Sequence, residues 1–151
     1  MILGSVGEYL FIGLLMLFGI SAFHESVHLK LLVLLGGDGF ITTELYLSHT
    51  IETVPPSNGT IVSAAGLIMA LLFSILAYLA WRRNYTELYT GLLPIVFNQT
   101  FYGAYETIFW TLPDPQYMLY ATPIAVISTL VGFGISVYLL YKALKAKLTT
   151  P

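Results

Sequence analysis

His24-Glu25-Ser26-Val27-His28 sets two imidazoles and a carboxylate inside an apolar run that extends from Leu10 to Leu35. A run of that length reads as a membrane helix, because about 20 apolar residues rising 1.5 Å each cross a hydrocarbon core. On a helix, residues four apart share a face, so His24 and His28 present both rings to one point while Glu25 sits one step round. H-E-x-x-H on a helix is the pattern that holds one zinc ion between imidazoles, with the Glu as general base towards a water, the chemistry of a metallopeptidase. Ionisable groups within a membrane span cost roughly 2.5 kcal/mol or more unless they face a cavity, a partner or a metal. Bound Zn2+ is the expected compensation.

Working outward, hydrophobic residues make up 57% of the chain and charged residues 9%, a composition of integral membrane proteins. Four apolar stretches are long enough to span: residues 8–35, 61–82, 88–111 and 117–143. The expectation is therefore an all-α membrane protein, one integral domain over residues 1–151. The N-terminus lacks a basic region, and its apolar run continues into the motif, so it reads as a retained span and not as a signal peptide. With no cysteine, disulfides, thiolate zinc sites and a cysteine nucleophile are excluded. A net charge of −2 and six scattered Lys and Arg residues make no basic stripe, so nucleic acid is not an expected partner.

Between helices one and two, Gly36-Gly37-Asp38-Gly39 and Pro55-Pro56-Ser57-Asn58-Gly59 bracket the segment 40–54. Turn residues at both ends predict a β-strand or hairpin at the membrane surface. Ile41, Leu45, Leu47 and Ile51 fall on one parity, and Thr42, Glu44, Ser48, Thr50 and Glu52 on the other, with Tyr46 and His49 breaking the alternation. With helices alternating in direction, Arg82, Arg83, Lys142, Lys145 and Lys147 fall on the side where the chain begins. The positive-inside rule then predicts a multi-pass protein with both termini cytoplasmic.

Two histidines do not complete a zinc site; a third protein ligand is needed, with the fourth position left for water or substrate. Two carboxylates compete. Glu106 lies in the third apolar stretch, where Asn98, Tyr102 and Glu106 recur at spacings of four, and residue counting places it within about one turn of His28 in depth. Asp114, in Leu112-Pro113-Asp114-Pro115, starts the connection into the last helix, where an Asp before Pro also serves as a helix-capping or turn residue.

These residues together resemble the site-2 protease class of intramembrane zinc metalloproteases. His24-Glu25-Ser26-Val27-His28 is similar to that family's zinc motif, the segment 40–54 to its β-structured membrane-associated region, and Ala64-Ala65-Gly66-Leu67 to the small-residue start of its next core helix. Leu92-Leu93-Pro94-Ile95 also resembles a family tract, but Asn98-Gln99-Thr100 stands where the family has Asp-Gly. In divergent relatives an Asp near the start of the last core helix supplies the third ligand, and Asp114 to Pro123 resembles that variant. Resemblance thus favours Asp114, whereas depth favours Glu106. The resemblance implies hydrolysis of a peptide bond in a membrane-anchored protein, with Glu25 as catalyst, Asn98 as a donor to the developing oxyanion, and an unwound substrate paired along a strand edge within 40–54.

A second reading is a non-catalytic membrane subunit of a larger complex that binds a metal or simply packs. Four spans without a soluble regulatory domain leave little room for substrate selection, so work as an oligomer or with a partner subunit is expected under either reading. His49 reads as a solvated surface residue, and the aromatic cluster Tyr102, Tyr105, Trp110, Tyr117 and Tyr120 as an interfacial belt.

Overall fold

Turn and cap chemistry divides the apolar chain into its elements. The computed structural model describes residues 20–44 and 47–149, without the side chains of Glu44, Leu47, Asp114 and residues 147–149. Over these residues the elements are α1 (20–34), β1 (Asp38–Glu44), β2 (Leu47–Val54), α2 (Gly59–Ser63), α3 (Ala65–Arg82), α4 (Thr86–Phe109) and α5 (Asp114–Thr149). The part of the expected first helix before residue 20 lies outside the described residues.

Gly36 ends α1 at φ 79°, a left-handed conformation open to glycine. Its N–H donates to the Val33 carbonyl and that of Gly37 to the Leu32 carbonyl, the paired bonds of a Schellman cap. Asn84 plays the same part after α3 at φ 59°, with Asn84 N–H donating to the Trp81 carbonyl and Tyr85 N–H to that of Ala80. Asn58 caps α2 by accepting from the Ile61 N–H, and Ala64 separates α2 from α3.

The segment 40–54 is an antiparallel hairpin in which Glu44 pairs with Leu47, Ile41 with Thr50 and Phe40 with Ile51. Paired residues share a face, so the turn inverts the parity expected from a single alternating strand. Ile41, Thr43, Ser48 and Thr50 lie on one face; Phe40, Thr42, His49 and Ile51 lie on the other. Ser48 on the first face is buried, whereas Phe40 and Ile51 on the second are exposed. The hairpin rests on the end of α1 because Gly37 and Gly39 lack side chains: a Cβ on Gly37 would stand 2.5 Å from Leu32 Cδ1, and one on Gly39 2.9 Å from Leu32 Cδ2. Leu32 is fully buried beneath them.

Glycines also set the helix crossings. A Cβ on Gly66 of α3 would lie 2.5 Å from the Gly103 Cα of α4, and one on Gly132 of α5 would lie 2.8 Å from the Pro94 Cα of α4. Backbones approach this closely only where small residues meet. Ala77, Leu92 and Ile95 form the apolar core between α3 and α4, flanked by Ile20, Phe73 and Tyr89.

Among the described residues, two helical stretches are long and apolar enough to cross a membrane: Gly59–Arg82, of 24 residues, and Pro115–Ala146, of 32. Outward faces of both carry exposed apolar side chains, including Leu71, Leu72 and Ile75 on α3 and Ile127, Leu130 and Val131 on α5. The 24-residue α4 is less apolar because Glu87, Asn98, Gln99, Tyr102 and Glu106 interrupt it. Three of these residues, Gln99, Tyr102 and Glu106, converge on the imidazoles of α1.

Candidate metal centre

Helical spacing on α1 produces two adjacent faces with different partners. His24 and His28, one turn apart, point to α4 and are 5% and 7% exposed. Ser21 and Glu25, rotated by one residue, meet β2 instead: the Ser48 N–H donates to Ser21 Oγ at 3.0 Å. The Thr50 N–H and hydroxyl both donate to Glu25 Oε2 at 2.7 Å, and the same hydroxyl reaches the Glu25 carbonyl at 3.1 Å. The H-E-x-x-H carboxylate is thereby fixed beside the imidazoles rather than between them.

The imidazoles approach edge to edge, with ring centroids 4.6 Å apart and the two Nε2 atoms 2.9 Å apart. Glu106 of α4 closes the group: Oε2 stands 3.2 Å from His24 Nε2 and Oε1 3.2 Å from His28 Nε2. A tetrahedral ion with bonds of about 2.0–2.1 Å separates its ligand atoms by about 3.3 Å. The two carboxylate–imidazole separations match that spacing, and the 2.9 Å between the imidazole nitrogens is a few tenths of an ångström shorter. Glu106 Oε2 is buried and accepts no hydrogen bond, although a buried carboxylate oxygen ordinarily has a partner. Two imidazole nitrogens and a carboxylate with one buried oxygen that accepts no hydrogen bond therefore fit a divalent cation. Donor atoms of His24, Glu25 and His28 also lie within 4.8 Å of one another, so this group too could hold a metal ion.

Of the two competing acids, Glu106 stands against both imidazoles, whereas Asp114 opens α5 with a side chain outside the described residues. The backbone there is a helix start, with the Pro113 carbonyl accepting from the Gln116 and Tyr117 N–H groups at 2.9 Å.

Asn98, expected as an oxyanion donor, is turned away. Its Nδ2 donates to the Ala125 carbonyl at 3.1 Å and to Thr129 Oγ1 at 3.0 Å, both on α5. Its Oδ1 accepts from Gln99 Nε2 at 2.9 Å. With both amide hydrogens and the oxygen engaged in this way, Asn98 contacts α5 and Gln99 and does not itself reach the imidazoles.

Its neighbour Gln99, passed over in the sequence, is 3% exposed and places Oε1 2.7 Å from His24 Nδ1. Thr50 is the second residue that sequence reasoning missed. Tyr102 flanks the site, its ring 5.9 Å from that of His24, and a Cβ on Gly66 would meet His24 Cε1 at 3.3 Å. The glycine crossing thus sets how closely α3 packs on the His24 ring.

No family model, no curated protein and no solved structure matches this chain.

Proposed function

We propose that this chain is a minimal intramembrane metalloprotease of the site-2 protease type, hydrolysing a peptide bond of a membrane-anchored protein. The convergence of His24, His28 and the Glu106 carboxylate at zinc-ligand spacing, inside a scaffold with apolar outer faces, carries this reading. In it Glu106, rather than Asp114, is the third ligand, and the protein is multi-pass. The shared cavity lined by Trp81, Asn84 and Lys142 places the ends of α3 and α5 together. This supports cationic ends on one membrane side and, by the positive-inside rule, cytoplasmic termini.

His24, His28 and Glu106 would hold Zn2+, which when bound supplies a nucleophile near neutral pH and polarises the scissile carbonyl. Glu25 is the base. As the water oxygen bonds to the carbonyl carbon, Glu25 takes its proton, and as the C–N bond breaks the carboxyl returns that proton to the leaving amine. Thr50 presets the carboxylate by holding Oε2, leaving Oε1 for the proton. The hairpin that carries Thr50 lies against the same helix, so a substrate unwound to expose its backbone would meet the base beside a strand.

The second reading, a non-catalytic subunit, draws on the close His24–His28–Glu106 contacts, which join α1 to α4 whether or not hydrolysis occurs. Glu25→Gln separates the two. In mild detergent the purified wild type is expected to bind Zn2+ and cleave an unfolded fluorescent casein. The variant is expected to keep its zinc and lose about 10²-fold or more of the rate, the range of general-base catalysis. Undiminished cleavage by the variant removes Glu25 from the chemistry. A zinc-loaded wild type that cleaves nothing supports the subunit reading.

A further inference from the structure

Orientation of the polar side chains between α5 and α1 is dictated link by link. A backbone carbonyl only accepts, so the Asn98 atom facing the Ala125 oxygen is Nδ2. Its other terminal atom, Oδ1, then faces Gln99, and because a carbonyl oxygen cannot donate, the facing Gln99 atom is Nε2. That leaves Gln99 Oε1 towards His24, and an amide oxygen can only accept. His24 must therefore carry its hydrogen on Nδ1. In the neutral ring the remaining nitrogen, Nε2, then keeps its lone pair, and it points at His28 Nε2 and Glu106.

We infer that Gln99 is a positioning residue for the candidate metal centre, and that an amide relay from the α5 backbone through Asn98 and Gln99 fixes the tautomer in which His24 Nε2 is free to bind a cation. The inference rests on the metal reading but not on hydrolysis. Imidazoles that bind metals commonly donate their second N–H to an acceptor that fixes ring and tautomer. Here the acceptor is a neutral amide, 3% exposed, whose own orientation is held from a different helix. An amide that rotated by half a turn would present NH2 to Nδ1, force the hydrogen onto Nε2 and block the ligand position. Asn98 prevents that rotation, and Thr129 Oγ1, which donates to the Ala125 carbonyl at 2.7 Å while accepting from Asn98, holds Asn98.

The test reads the tautomer directly. In metal-free wild-type protein labelled with 15N-histidine, in mildly alkaline buffer, neutral His24 is expected to show a protonated Nδ1 and an unprotonated Nε2. Gln99→Leu removes the acceptor and is expected to mix the tautomers and weaken Zn2+ binding by about 10–100-fold, the usual effect of losing such a partner. Gln99→Glu keeps an acceptor at the same place and is expected to restore the Nδ1–H signature. A wild type with its hydrogen on Nε2 overturns the inference, and so does a Gln99→Leu protein with unchanged tautomer and zinc affinity. The wild-type spectrum decides the matter even where Gln99→Leu does not fold. An inactive wild type with Nδ1–H retains the relay while the peptidase reading falls.

Discussion

Replacing Glu106 by Gln removes the one anionic member of the His24–His28–Glu106 group while conserving its shape. In the structure the carboxylate oxygens lie 3.2 Å from each Nε2, and the side chain is 14% exposed. Losing a hydrogen-bond partner of a metal-binding side chain costs about 10–100-fold in metal affinity, and losing an anionic ligand outright costs at least as much. Glu106→Gln is therefore expected to bind Zn2+ at least about 10²-fold more weakly than wild type, which at 1.4 kcal/mol per tenfold is about 3 kcal/mol of binding free energy. Asp114→Asn is expected to bind it as wild type does. The assay is zinc retained by the detergent-purified protein during titration with a graded chelator, with helix content by circular dichroism as the check on folding. The opposite pattern, full zinc retention by Glu106→Gln and loss from Asp114→Asn, would refute the assignment of the third ligand.

Thr50→Val keeps the backbone N–H that reaches Glu25 and deletes the hydroxyl. A hydrogen bond to a charged group is worth about 1.5–3 kcal/mol, so cleavage of the casein probe is expected to fall about tenfold or more with zinc content unchanged. An unaltered rate would show that β2 does not position the base. Gly103→Ala places a Cβ 2.6 Å from the Gly66 carbonyl carbon. Overpacking of this sort costs about 1–3 kcal/mol, so the thermal midpoint in detergent is expected to fall, and zinc affinity with it, because α4 carries both Gln99 and Glu106. An unperturbed midpoint would show that the α3–α4 contact is loose.

Local signals carried the parts of the fold that were legible. The apolar stretch 61–82 reappears as α2 and α3, whose break at Ala64 has no counterpart in hydropathy. The stretch 117–143 underestimates α5, which runs to Thr149: the polar tail is rich in Lys, Leu and Ala, residues that continue a helix where hydropathy has stopped. The hairpin was bracketed by its turn residues, but its faces were not legible, because a parity count along one strand does not include the inversion at the turn.

The site divides on the same line. His24, Glu25 and His28 were visible because one helical turn brings them together without help from the rest of the chain. On α4 a spacing of four was followed for too long: at 100° per residue, Asn98 is about 80° away from Glu106 after eight residues, whereas Gln99, seven residues before, is only about 20° away. The stripe that faces α1 and α3 is therefore Gln99, Gly103 and Glu106, and Asn98 lies on the flank that meets α5. That geometry joins three features on one face. The glycine lets α3 approach, the amide one turn to its N-terminal side reaches Nδ1 of the first imidazole, and the carboxylate on its C-terminal side reaches Nε2 of both. A change that shifts α4 along its axis would move the amide and the carboxylate together, so under the proposed reading loss of tautomer control and loss of the third ligand belong to one structural event.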